Sequence, residues 1–106
     1  MSTTHWVVTV RAEDGEHVKV FRSVASATTE YQEQSGRLLS ADESMSVARG
    51  GTVRTVDDWG RSVRVGPAPH GITSAKQLEA YRRAFDAREC GMLTAADRRI
   101  LARVEG

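Results

Sequence analysis

The stretch HWVVTVRAEDGEHVKVFR, residues 5–22, reads as two β-strands about a tight turn. Trp6, Val8 and Val10 alternate with Val7, Thr9 and Arg11, the period of two that a strand imposes on its two faces. Glu13-Asp14-Gly15-Glu16 supplies an Asp-Gly turn, and His17 to Arg22 forms the returning strand. There Val18 and Val20 share one face and Phe21 takes the other. The pattern predicts an antiparallel hairpin, which fixes a sheet as the framework of the N-terminal half.

The next residues predict what packs on that sheet. Ser23 can cap a helix running to about Ser35, with Val24, Ala27 and Tyr31 on its apolar side and Gly36 as its stop. Glu30, Gln32, Glu33 and Gln34 face water in this reading. Ser40-Ala41-Asp42-Glu43 has the spacing of a capping box, so a short helix through about Ala48 follows, ended by Gly50-Gly51. A loop that plugs Leu38, Leu39 and Met45 into the core is the other reading of this segment. Thr52–Val56 and Arg61–Val65 then form a second hairpin around Asp57-Asp58-Trp59-Gly60. Arg54, Arg61 and Arg64 project from it, with Trp59 at its tip. A tryptophan beside arginines is the side-chain mixture enriched at interface hot spots, which makes Trp59, Arg61 and Arg64 candidate partner-binding residues. The plainer reading folds Trp59 back over its own hairpin.

Gly66-Pro67-Ala68-Pro69-His70-Gly71 holds two prolines and two glycines in six residues and reads as a linker. Beyond it, Ser74 with Gln77 three residues on opens a helix whose Leu78, Tyr81 and Phe85 recur at helical spacing. Gly91 suits the left-handed position after a helix end. Thr94 and Asp97 open a last helix, apolar at Ala96, Ile100, Leu101 and Val104 and basic at Arg98, Arg99 and Arg103. Leu78, Tyr81, Phe85, Ile100 and Val104 are expected to form the seam of two antiparallel helices.

Three resemblances attach to this hairpin. Ala87 and Gly91 have the Ala-x-x-x-Gly spacing of a DNA-binding helix-turn-helix, which implies nucleic-acid contact by Arg98, Arg99 and Arg103. Asp86, Gly91, Leu93, Thr94 and Asp97 are similar to positions of an EF-hand loop. Arg88 and Cys90, however, stand where that loop needs oxygen ligands, so no metal is expected. Gly91-Met92-Leu93-Thr94 is also similar to the Gly-Leu-Leu-Thr turn of a short helical module found at bacterial C-termini.

Composition sets the outer limits. With 106 residues, 40% hydrophobic and 27% charged, the chain has the make-up of a soluble globular domain rather than a disordered one. Its formal net charge of +1 gives no global drive toward nucleic acid or membrane. Thirteen of the fifteen basic residues are Arg, and Asn is absent. In this and in size the chain resembles the small accessory proteins of actinobacteria and their phages. Met1 to Thr4 is polar and uncharged, so no leader is expected, and the cytoplasm is the expected compartment. Cys90 is the single cysteine, and its place at a helix C-terminus does not favour a thiolate. His5, His17 and His70 have no metal-ligand spacing, and no acid, base and nucleophile can be grouped as a catalytic set. No cofactor is expected.

The fold class expected is α+β: a small antiparallel sheet from two β-hairpins with a packed helix, then a C-terminal αα-hairpin. The organisation expected is a body over 1–66, a linker over 67–71 and the hairpin over 72–106. The function expected is protein–protein interaction by a small non-enzymatic regulatory protein, phage-encoded and aimed at a host protein. DNA binding by the last helix is the alternative. Leu78, Tyr81, Phe85, Ile100 and Leu101 offer enough apolar surface for a homodimer through the C-terminal helices.

Overall fold

The computed structural model describes residues 5–105. Met1 to Thr4, on which the expectation of no leader rests, lie outside the described residues. The chain forms two compact units, Met1–Ala68 and Pro69–Gly106, dividing inside the expected linker.

The first unit is a four-stranded antiparallel sheet with two helices. Strands β1 (Trp6–Ala12), β2 (Gly15–Phe21), β3 (Val53–Val56) and β4 (Ser62–Pro67) lie in the order β2-β1-β4-β3. Both expected hairpins form, though the first turns on Glu13-Asp14 rather than Asp14-Gly15, Gly15 being the first residue of β2 opposite Ala12. The two join where β1 pairs with β4, Val8 opposite Val65 and Val10 opposite Val63. That register puts Trp6, Val8, Val10, Val53, Val63 and Val65 on one face. Helices α1 (Val24–Ser35) and α2 (Ala41–Ala48) cover it. Ala27, Tyr31 and Val47 are fully buried there among Val8, Val63 and Val65.

Local chemistry fixes both helices. The Ser23 hydroxyl accepts from the Ser26 N–H at the start of α1, and Gly36 ends it with φ 68°. Ser40 and Glu43 form the reciprocal capping box of α2. The plugged-loop alternative is thereby overturned, for Leu38 is 80% exposed and only Leu39 packs against the core. The linker also begins later than expected, because β4 continues through Gly66 and Pro67. Pro67 lies opposite Trp6 but beyond the last β3 partner, Val53 opposite Val65, so its missing N–H costs no bond on the β3 side.

Tyr31 is the largest fully buried side chain. Its hydroxyl hydrogen-bonds the Thr55 hydroxyl on β3 and accepts from Arg37 Nη1 at 3.3 Å. Arg37 Nη1 also donates to Thr55 at 3.2 Å, while Nη2 reaches both oxygens of Glu43 at 2.9 and 2.8 Å. One guanidinium thus ties the end of α1, the start of α2 and strand β3.

The second unit holds α3 (Ala75–Glu89) and α4 (Ala95–Glu105). Ser74 caps α3 by accepting from the Gln77 N–H. Gln77 turns its own side chain to the Thr73 N–H, leaving that box half-made. Gly91, at φ 72°, closes α3 as the Met92 N–H reaches the Ala87 carbonyl at 2.8 Å. Thr94 and Asp97 cap α4 reciprocally. The buried residues are Ile72, Leu78, Ala84, Leu101 and Val104. Phe85, expected in the seam, is 39% exposed and lies under the Arg88 guanidinium, 4.9 Å from the ring centroid. Arg88 also pairs with Glu105 at 2.7 Å, joining the last turns of both helices.

Replacing Tyr31 separates its two roles. Tyr31→Ala is expected to cost about 3–5 kcal/mol as a cavity. Tyr31→Phe is expected to cost about 1 kcal/mol, because only the hydroxyl contacts are lost. Urea unfolding of the two variants checks the order.

Candidate functional site

The β3–β4 turn presents its residues through one carboxylate. Asp57 Oδ1 accepts from the backbone N–H groups of Trp59 and Arg61, each at 2.9 Å, and the Gly60 N–H reaches the Asp57 carbonyl at 3.2 Å. Gly60 takes φ 80°, as a three-residue hairpin loop with a bulge requires. The backbone of this turn is held by hydrogen bonds, yet the Trp59 side chain is 92% exposed. Trp59 does not fold back on its hairpin.

The expected partners of Trp59 separate. Arg61 and Arg64 differ by an odd number of residues and occupy opposite faces of β4. Arg64 is exposed on the sheet face away from α1 and α2, opposite Arg54 on β3 and Thr9 on β1. It borders a depression of about 220 Å³ lined by Val7, Thr52, Gly66 and Pro67. A Cβ on Gly66 would stand 2.6 Å from the Thr52 hydroxyl, so any larger residue there would displace the Thr52 side chain. Arg61 turns to the helical face instead. It donates to the Gln34 carbonyl and, at 2.9 Å, to Gln34 Oε1. A cation so placed complements the C-terminal end of α1. The expectation that Arg61 projects beside Trp59 is corrected accordingly.

Arg61 is one end of a polar wall. Gln34 Nε2 donates to Glu30 Oε2 at 3.0 Å, and Lys19 Nζ donates to the same oxygen at 3.1 Å. The wall borders a cleft of about 320 Å³ between α1 and the β1–β2 hairpin. Val8, Val10 and Ala12 form its floor, with Asp14 and His17 on its rim. The Lys19 ammonium, and then the Gln34 amide, hold the Glu30 carboxyl below its ordinary pKa. A carboxylate so stabilised is a poor proton donor near neutrality. No group of three or more His, Cys, Asp or Glu among the described residues is placed to hold a metal ion.

Arg98, Arg99 and Arg103 are exposed on α4, away from buried Leu101 and Val104. None of the three has an acceptor among the described residues, whereas Arg88 is engaged by Glu105. Cys90 is exposed at the end of α3. No helix among the described residues is long and apolar enough to cross a membrane.

The sequence reading missed Lys19, Glu30, Gln34 and Arg37. Gln34 and Arg61 lie 27 positions apart, Tyr31 and Thr55 24. No local pattern marks either pair. Comparison with family models, curated proteins and solved structures returns no match.

Lys19→Met should bring the Glu30 pKa back up toward the ordinary carboxylate value, read by NMR titration of Glu30. Because the folded pKa is depressed, the pair stabilises the fold above the unfolded value. That contribution is lost as pH falls through the folded one. The variant should therefore lose the part of the acid-induced destabilisation that Glu30 carries.

Proposed function

We propose that the chain is a small non-enzymatic interaction protein that contacts a protein partner through the β3–β4 tip, with Trp59 as the anchor. The observation that carries this is the exposure of Trp59 on a turn whose backbone is fixed. An indole on a fixed backbone leaves only its own two side-chain torsions to order on docking, and it offers the large apolar area that hot spots use. Exposed Val56, next to the same turn, extends the apolar contact. A docked partner would cover both.

A second reading is nucleic-acid binding by α4, favoured by the three unengaged arginines. Phosphate contacts by Arg98, Arg99 and Arg103 would weaken steeply with salt.

Tagged protein in lysate separates the two. Trp59→Ala should abolish recovery of the partner and leave stability within about 0.5 kcal/mol, as for other exposed positions. Changing Arg98, Arg99 and Arg103 together to Ala should leave recovery intact. Recovery that survives Trp59→Ala but disappears with nuclease, or with the arginine changes, would replace the first reading by the second.

A further inference from the structure

We propose that the partner of Trp59 is a second copy of this chain: two protomers exchange indoles, each Trp59 entering the other's cleft between α1 and the β1–β2 hairpin. This deepens the reading above and rests on it.

The cleft has what an indole needs. Val10 and Ala12 on β1 give an apolar floor for the ring face, with buried Val8 at its inner end. Arg61 stands at its edge with its guanidinium bonded to the two neutral oxygens of Gln34. Its charge is therefore not cancelled by a carboxylate there, and it can interact with an aromatic face brought against it. A buried indole N–H requires an acceptor. Asp14, on the rim, has no partner among the described residues and can supply one. The Glu30 carboxylate, by contrast, is occupied by Lys19 and Gln34. At about 320 Å³ the cleft lies at the small end of ligand-sized pockets, suited to one large side chain rather than to a helix.

The arrangement is self-complementary. Arg11 lies opposite Ser62, so Ala12 and Arg61 mark one end of the sheet, the end from which the β3–β4 turn projects. Donor and acceptor are thus neighbours: Trp59 stands on the turn that delivers Arg61 to the cleft. A two-fold axis beside this turn would set each Trp59 over the other protomer's cleft and close the assembly with one contact made twice. A heterologous partner inserting an aromatic side chain into the cleft would leave Trp59 exposed.

The test uses the full chain with Trp6→Phe, so that Trp59 is the only tryptophan. Sedimentation equilibrium over a concentration series should show a monomer–dimer transition. Trp59 emission should shift to the blue, and acrylamide quenching should fall, over the same range. Trp59→Ala, made on the natural chain, and Ala12→Arg, which fills the cleft, should each raise the transition concentration at least about tenfold, a free-energy change of about 1.4 kcal/mol. Mixing these two variants should restore a heterodimer held by the single remaining exchange. Should Ala12→Arg not fold, a mixed-label sample of the parent chain decides the matter. It should give intermolecular NOEs between the Trp59 indole and the Val10 methyls.

A chain that stays monomeric to about 1 mM overturns the proposal. So does a dimer indifferent to Trp59→Ala or to a folded Ala12→Arg, a mixture that forms no heterodimer, or a mixed-label sample without those NOEs. A monomer that captures a different protein and loses it on Trp59→Ala refutes the exchange while keeping Trp59 as the contact.

Discussion

The burial of one tyrosine organises the first unit. Tyr31 enters the space between α1 and the sheet with no exposed surface, which only its apolar ring favours. Its hydroxyl arrives there needing partners, and a buried hydroxyl left unpaired would oppose the packing. Thr55 and Arg37 meet that need. Strand β3 must therefore be at the sheet edge beside the end of α1, and Arg37 must turn inward from just beyond Gly36. Once Arg37 is so placed, Glu43 follows, because its carboxylate accepts from the same guanidinium while capping α2.

The same covering of the sheet creates the cleft. Helix α1 lies mainly over β1 and β4 and leaves the far part of the β1–β2 hairpin uncovered. The residues there are of two kinds: aliphatic side chains on β1 and charged groups along α1 and β2. The charged groups do not collapse onto the floor because they bind one another, Arg61 to Gln34, Gln34 to Glu30 and Lys19 to Glu30. The depressed Glu30 pKa is the electrostatic trace of that mutual binding. A polar wall satisfied internally leaves the apolar floor open, which is the condition for admitting an aromatic group.

Trp59 shows the opposite arrangement. Its backbone is fixed by Asp57 while its side chain touches little. Exposing an indole forgoes the stabilisation that burial would give, so the Trp59 side chain, unlike the turn that carries it, adds little to the fold. The sheet face away from α1 and α2, where Arg54 and Arg64 stand opposite one another, likewise carries like charges that weaken pairing.

Local chemistry carried much of this fold into view. The alternation of residues 5–22, the caps at Ser23, Ser40 and Thr94, and the glycines at 36 and 91 each act within a few residues of themselves, so their effects can be read from the chain alone. The α+β class and the helix pair follow from them. The sequence also placed Trp59 on a turn. It could not tell whether the indole packs back or stands free, because that depends on the room beside it. The side of β4 that each arginine takes needed the pairing register, in which a shift of one residue reverses every side chain. Arg61 left Trp59 for Gln34 because the β1–β4 pairing brings the end of α1 beside it, a proximity made across 27 positions of chain. Likewise, the Arg88–Glu105 ion pair joins the ends of α3 and α4, a contact that periodicity within either helix does not encode. Contacts within a turn of helix or hairpin are set by the residues themselves. Contacts between distant segments exist only once the whole unit has closed, and the cleft needs both kinds: the β1–β2 hairpin and the Gln34–Glu30 bond are local, whereas Arg61–Gln34 and Lys19–Glu30 join separate elements.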